Sequence, residues 1–205
     1  MEDRKLANLE VAKFMEELGS GNPTPGGGAA AALSSALGAS LLMMVANHTI
    51  GKSRYAEFED LNIEVREKAE ALRARFLEGI DNDADAFEQV TAAYKMSKDD
   101  PARPAAIGTA SVIAAQAPLA VMEDSVAGLR LAASLPGRSN PNLLSDVYVA
   151  ANCLYTGLQS ALYNVQANLP SIRKRDSELA GKFETSTAEL MQEGAALIAE
   201  ITNAQ

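Results

Sequence analysis

No formally charged side chain occurs between Leu18 and Gly51, in a stretch that opens on loop residues and becomes an alanine-rich run. A helix without charge must be covered by the rest of the chain, by a second copy, or by lipid, so this segment constrains the fold more than any other. Within it, residues 23–32 read PTPGGGAAAA. Glycine is a poor helix former, and three in a row directly before a helix mark a special entrance. Three readings are open: a hinge, a membrane-helix signal, or a helix N-terminus whose bare N–H groups meet a ligand. The first third of the uncharged segment is Gly, Asn, Pro and Thr, and only LLMMV at 41–45 is strongly apolar. That composition favours a buried central helix over a membrane span.

The 205 residues are enough for one domain, read as spanning 1–205. Apolar residues make up 47% and aromatics only 5%, with no tryptophan. Such a chain packs helices through small side chains, and no alternating strand pattern competes. A net charge of −9 argues against a nucleic-acid or anionic-membrane partner, both of which need a basic face. Cys153 is the single cysteine and His48 the single histidine, so neither a disulfide, a thiolate cluster nor a multi-histidine metal site is expected. The acidic, amphipathic start MEDRKLANLE has no apolar signal core, and a cytoplasmic location is the expectation.

Periodicity and breakers predict six helices: about Arg4–Leu18, Gly27–Ile50, Tyr55–Tyr94, Ala105–Leu135 with a bend at Pro118, Leu143–Leu169 ending at Pro170, and Asp176–Thr202. Short connections make this an all-α, mostly antiparallel bundle with a charge-poor central helix. The second and fifth helices both lack a charged face, which suggests a central position or burial between copies.

On a wheel for the third helix, Phe76, Ile80, Phe87, Val90 and Tyr94 form one apolar stripe, and Asp83 falls about 20° from its centre. Asp81 and Asp85 fall on the polar side and are expected to be solvated. A carboxylate inside an apolar stripe must be paired, hydrogen-bonded or neutralised by a raised pKa. A raised pKa also suits a general acid or base, so Asp83 is either a structural carboxylate or a catalytic one. In the fifth helix, Asp146, Ala150, Gly157, Asn164 and Asn168 form a lane of small and amide residues beside the apolar face. It serves either close helix packing or a ligand. Lys52 and Arg54 follow the second helix, where cations also suit the helix C-terminus.

PTPGGGAAAA at 23–32, NHTIGKSRY at 47–55, DADAF at 83–87, NLLSDVYVA at 142–150 and NVQANL at 164–169 stand in the order and spacing of one family. Over nearly its whole length the chain resembles the cyclodeaminase/cyclohydrolase family. The resemblance implies an all-helical homodimer that takes a tetrahydrofolate derivative as substrate, with no tightly bound cofactor and no metal. It implies one of two reactions. A cyclodeaminase converts 5-formiminotetrahydrofolate to 5,10-methenyltetrahydrofolate plus ammonia. A cyclohydrolase adds water to the methenyl compound and gives 10-formyltetrahydrofolate. By position in the family pattern, Asp83 would be the general acid/base. Thr24, Pro25, Gly26, Gly27, Gly28 and Asn47 would cradle the folate, Lys52 and Arg54 would meet its glutamate tail, and Asp146 with Asn164 would line the pocket. The chain departs from that pattern at His48, Met96–Ser97 and Ser139. The alternative function is a non-catalytic helical binding or scaffold protein of the same fold.

Overall fold

The computed structural model describes residues 5–203. Among them are six α-helices and no strand: α1 (Val11–Leu18), α2 (Gly27–Asn47), α3 (Glu59–Lys95), α4 (Arg103–Ala133), α5 (Leu144–Arg173) and α6 (Ser177–Asn203). Short 3₁₀ turns at Leu6–Asn8, Ser53–Phe58 and Pro141–Leu143 precede α1, α3 and α5. The first expected helix is thus shorter than its periodicity suggested, and Arg4 lies outside the described residues.

Helix α2 lies at the centre, packed on α3, α4 and α5. Ala29, Ala32, Ala39, Leu42, Val45 and Ala46 are fully buried. By length and mean hydropathy α2 and α4 could each cross a membrane, yet more than half of the apolar window of α2 is buried inside the bundle. Small residues allow this depth. A Cβ at Gly38 would stand 2.6 Å from Leu154 Cγ, and one at Gly157 would stand 1.9 Å from Ser35 Oγ. The backbones of α2 and α5 therefore meet more closely than side chains would permit. Ser35 and Ser125 share a buried hydroxyl–hydroxyl bond of 2.8 Å, so the polar atoms in this seam have partners. One contiguous core of buried residues runs from Phe14 to Ile201 and joins all six helices.

Two prolines lie inside helices. Pro118 lacks an N–H and leaves the Ala114 carbonyl without its helical donor. The Asn168 side-chain amide donates to that carbonyl at 3.3 Å, which ties α4 to α5. Pro170 was expected to end the fifth helix, but α5 continues through it to Arg173. The residue whose carbonyl it frees, Gln166, is exposed, as is Pro170 itself, so water can satisfy the lost bond. That extra turn carries Ser171 to the end of the α3–α5 groove.

Candidate active site

The carboxylate of Asp83 reaches across from α3 to the first turn of α2. Asp83 Oδ2 accepts a hydrogen bond from the Ala29 N–H at 3.1 Å. No side chain of the preceding residue, Gly26, can cap α2, so a carboxylate from another helix takes one of its free donors. Among the described residues, no protein acceptor is hydrogen-bonded to the N–H of Gly27 or Gly28. Gly28 is essential to the approach, because a Cβ there would stand 2.0 Å from Asp83 Oδ1. Two effects act on the Asp83 pKa. Burial, the larger, raises it above the usual carboxylate range, and the Ala29 N–H bond draws it back only in part.

Around this carboxylate lies a cavity of about 370 Å³ lined by Pro23, Thr24, Gly26, Gly27, Phe87 and Asn164, among others. Asn164 lies beside Gly27, its amide oxygen 3.5 Å from where a Cβ would stand. Its Nδ2 donates to the Ser160 carbonyl at 3.0 Å, which fixes the amide against α5. Asn168, one turn on, also lines the cavity and is held by its bonds to Ala114 and Asn164 carbonyls. Pro25 is buried beneath the entrance and joined to Thr24 by a cis peptide. Phe87 and Val90 were expected within the core stripe of α3. Instead they face the cavity, and Phe87 remains 43% exposed, because α5 stands off from α3 here.

The residues singled out from sequence fall into two groups. Thr24, Gly26, Gly27, Asp83 and Asn164 share the cavity, with Gly28 directly under Asp83. Asn47 is the last residue of α2, about 30 Å away along a helix of 21 residues, and Lys52 and Arg54 follow it. Asp146 lies in the first turn of α5, eighteen positions before Asn164 and roughly 27 Å from it along the axis. Within one chain these four do not reach the Asp83 cavity. Asp81 differs from expectation in another way: its Oδ1 accepts the Leu6 N–H at 2.7 Å, so it anchors the N-terminal turn instead of facing only water. Ala114, Pro23 and Asn168 were missing from the site expected from sequence. The Pro118 position, four residues after Ala114, was the signal for the first. The amide lane was the signal for Asn168.

A helical bundle with a half-buried carboxylate on an uncapped, glycine-rich helix end has the anatomy of a small-molecule site whose reacting group moves protons. Comparison with known proteins makes the class specific. Residues 10–189 match the family model described as formiminotransferase-cyclodeaminase, and the chain belongs to that family. It is 40% identical over 172 residues to the methenyltetrahydrofolate cyclohydrolase of Methylorubrum extorquens, covering 82% of this chain and 83% of that protein. The formimidoyltransferase-cyclodeaminase of Sus scrofa is 30% identical over 195 residues, 93% of this chain but 36% of its own length. This chain therefore spans about a third of that relative. Among solved structures, the formiminotetrahydrofolate cyclodeaminase of Thermotoga maritima superposes with a TM-score of 0.89 at 26% identity, covering 96% of each chain.

Proposed function

We propose that this protein is a folate one-carbon enzyme that hydrolyses 5,10-methenyltetrahydrofolate to 10-formyltetrahydrofolate, with Asp83 as base and then acid. The observation that carries the reading is the half-buried Asp83 carboxylate on the open end of α2. The methenyltetrahydrofolate cyclohydrolase at 40% identity, matched over most of both chains, supports the choice of substrate.

The methenyl carbon sits between N5 and N10 and shares their positive charge. Asp83 takes a proton from water while the water oxygen bonds to that carbon, which becomes tetrahedral. The carboxyl then returns the proton to N5 as the carbon–N5 bond breaks. The remaining hydroxyl proton leaves to solvent, and the formyl group stays on N10. One water is consumed and one proton released, which balances the lost charge. A carboxyl with a raised pKa accepts and returns a proton more evenly than an ordinary one. The N–H groups of Gly27 and Gly28, left without protein acceptors at the start of α2, suit the lone pairs of the hydroxyl oxygen on the tetrahedral carbon.

The second reading is formiminotetrahydrofolate cyclodeamination, favoured by the fold match to the Thermotoga maritima enzyme. There N10 attacks the protonated formimino carbon, Asp83 takes the N10 proton and passes it to the leaving nitrogen, and ammonia departs as the methenyl bridge closes. Purified protein mixed separately with each folate distinguishes them. Loss of methenyl absorbance above the spontaneous rate, without ammonia from the formimino compound, is the expected result. Gain of methenyl absorbance with ammonia release selects the second reading. Neither change overturns both and leaves a binding or scaffold protein.

The proposal includes a homodimer in the cytoplasm. Leu37 on α2 and Val149 and Tyr163 on α5 are at least half exposed, on helices whose outer faces carry no charge along these turns. In a chain of net charge −9, a neutral face is where two copies can meet without repulsion.

A further inference from the structure

Asn168 lines the Asp83 cavity from α5, one turn beyond Asn164. Both of its amide protons are committed to backbone. Nδ2 donates to the Asn164 carbonyl at 3.0 Å, within α5, and to the Ala114 carbonyl of α4 at 3.3 Å. The reverse orientation would set Oδ1 against two carbonyl oxygens, so the amide can stand only one way. Oδ1 is then the polar atom that Asn168 offers the cavity, and among the described residues no protein donor is bonded to it. Asn164 repeats this in part: its Nδ2 is held by the Ser160 carbonyl, and its Oδ1 likewise takes no protein donor.

The lock on Asn168 depends on Pro118. An N–H at that position would donate to the Ala114 carbonyl inside α4, and proline has none, so the carbonyl is open to a side chain from α5. Joining two helices requires only the N–H groups of the amide. It gives no use to the oxygen, which stays half-buried in a concave site with its lone pairs unspent. No lysine or arginine is among the residues lining this cavity, so its α5 wall offers acceptors and no cation. Such a wall is suited to a ligand edge that carries N–H groups.

Distance selects the edge. In a folate the 2-amino nitrogen of the pterin lies roughly 6 Å from the carbon that bridges N5 and N10, by summing bond lengths across the ring. Asn164 lies beside Gly27, and Asn168 follows about 6 Å further along α5. A bridge carbon placed at Asp83 and Gly27 therefore brings the amino end of the ring to Asn168. We propose that Asn168 Oδ1, held in place by the Ala114 carbonyl that Pro118 leaves open, accepts a hydrogen bond from this 2-amino group and so selects a 2-aminopterin ring. The inference rests on the folate reading above. Asn168 is a recognition residue in it, and Pro118 a positioning residue that acts through Asn168.

The test compares wild type, Asn168→Ala, Pro118→Ala and the double variant on 5,10-methenyltetrahydrofolate and on its 2-desamino analogue. Asn168→Ala alone strands the Ala114 carbonyl and should lower Tm. In the double variant the restored N–H at position 118 takes that carbonyl, so Tm should recover while the acceptor is still missing. Loss of Asn168 should raise KM for the folate roughly fivefold or more in both backgrounds, with a smaller change in kcat. For the desamino analogue the wild-type KM should already be raised, and loss of Asn168 should add little to it. An amide that only joins helices would move Tm and leave KM alone, or its KM defect would vanish with the recovered Tm, and either result overturns the proposal. An equal rise in KM for both substrates places the donor elsewhere and overturns it too. Failure of the folate reading is distinct, since it shows as no turnover of either folate by wild type. In that event calorimetric titration with 6-methyltetrahydropterin reads the cavity. Binding weakened by Asn168→Ala in the Pro118→Ala background supports the proposal, and binding that is absent or unchanged overturns it.

Discussion

Asp83 stands under two opposed influences: burial favours its neutral form and the α2 N-terminus its charged form, and burial is the stronger. The sign for stability follows. A carboxyl whose folded pKa lies above its unfolded value favours folding below the unfolded pKa, and that contribution is lost as pH rises through the folded pKa. At neutral pH the ionised group is therefore a cost to the fold. Asp83→Asn keeps an acceptor for the Ala29 N–H and removes the buried charge, so its Tm at pH 7 should equal or exceed that of wild type. A lower Tm would contradict this electrostatic account. Gly28→Ala should do the opposite: its Cβ meets a carboxylate that cannot retreat without losing the Ala29 bond. We expect a loss of about 1–3 kcal/mol in urea unfolding together with a fall in turnover. Gly27→Ala, whose Cβ would make only ordinary contact with Asn164, should leave stability intact. The direction of Asp83 was legible in sequence, because one helix wheel separates it from Asp85. The partner of Asp81 was not, since it is a backbone N–H some 75 residues earlier and no local pattern encodes it.

Helices announce themselves when their apolar spacing is regular and their ends are punctuated, which is why α2, α4 and α6 fall within a few residues of expectation. The ending of α5 was misread because proline stops a helix only where the carbonyl it frees has no alternative partner. At Pro170 solvent serves, and at Pro118 Asn168 serves. This second arrangement predicts a coupling. Asn168→Ala should cost about 1–3 kcal/mol in the wild-type background, by leaving the Ala114 carbonyl unsatisfied. In Pro118→Ala the restored N–H at position 118 takes that carbonyl, and the cost of Asn168→Ala should shrink. Equal costs in a double-mutant cycle would show that the amide plays no such part. The stripe of α3 likewise describes the core only as far as Ile80. Beyond it, Phe87, Val90 and Tyr94 keep the period but line cavities, because periodicity reports which residues share a face and not what covers that face.

At the scale of the molecule, the fold turns a charge-free helix into the floor of a site. The residues carrying the family pattern are divided between the two ends of α2: Gly27, Gly28, Asp83 and Asn164 at one end, Asn47, Lys52, Arg54 and Asp146 at the other. Spacing along a chain does not disclose this, since helices of 21 and 30 residues separate motifs that read as neighbours in a pattern. The far group belongs to a different surface of the chain, and in the proposed dimer the neutral outer turns of α2 and α5 would carry the contact with the second copy. Leu37→Glu places a charge on that face without touching the cavity. Sedimentation should find wild type dimeric and this variant monomeric at micromolar concentration, and an unchanged dimer would place the interface elsewhere. The central claim is that Asp83 moves the protons of a reaction on a folate bridge. It is tested most directly by kcat/KM for 5,10-methenyltetrahydrofolate against pH, corrected for spontaneous hydrolysis, in wild type and Asp83→Asn. The account predicts a wild-type acid limb above the ordinary carboxylate range, and a variant slower by roughly 10²–10⁴ that lacks this limb. A variant with the wild-type rate, or with the same limb, would contradict it.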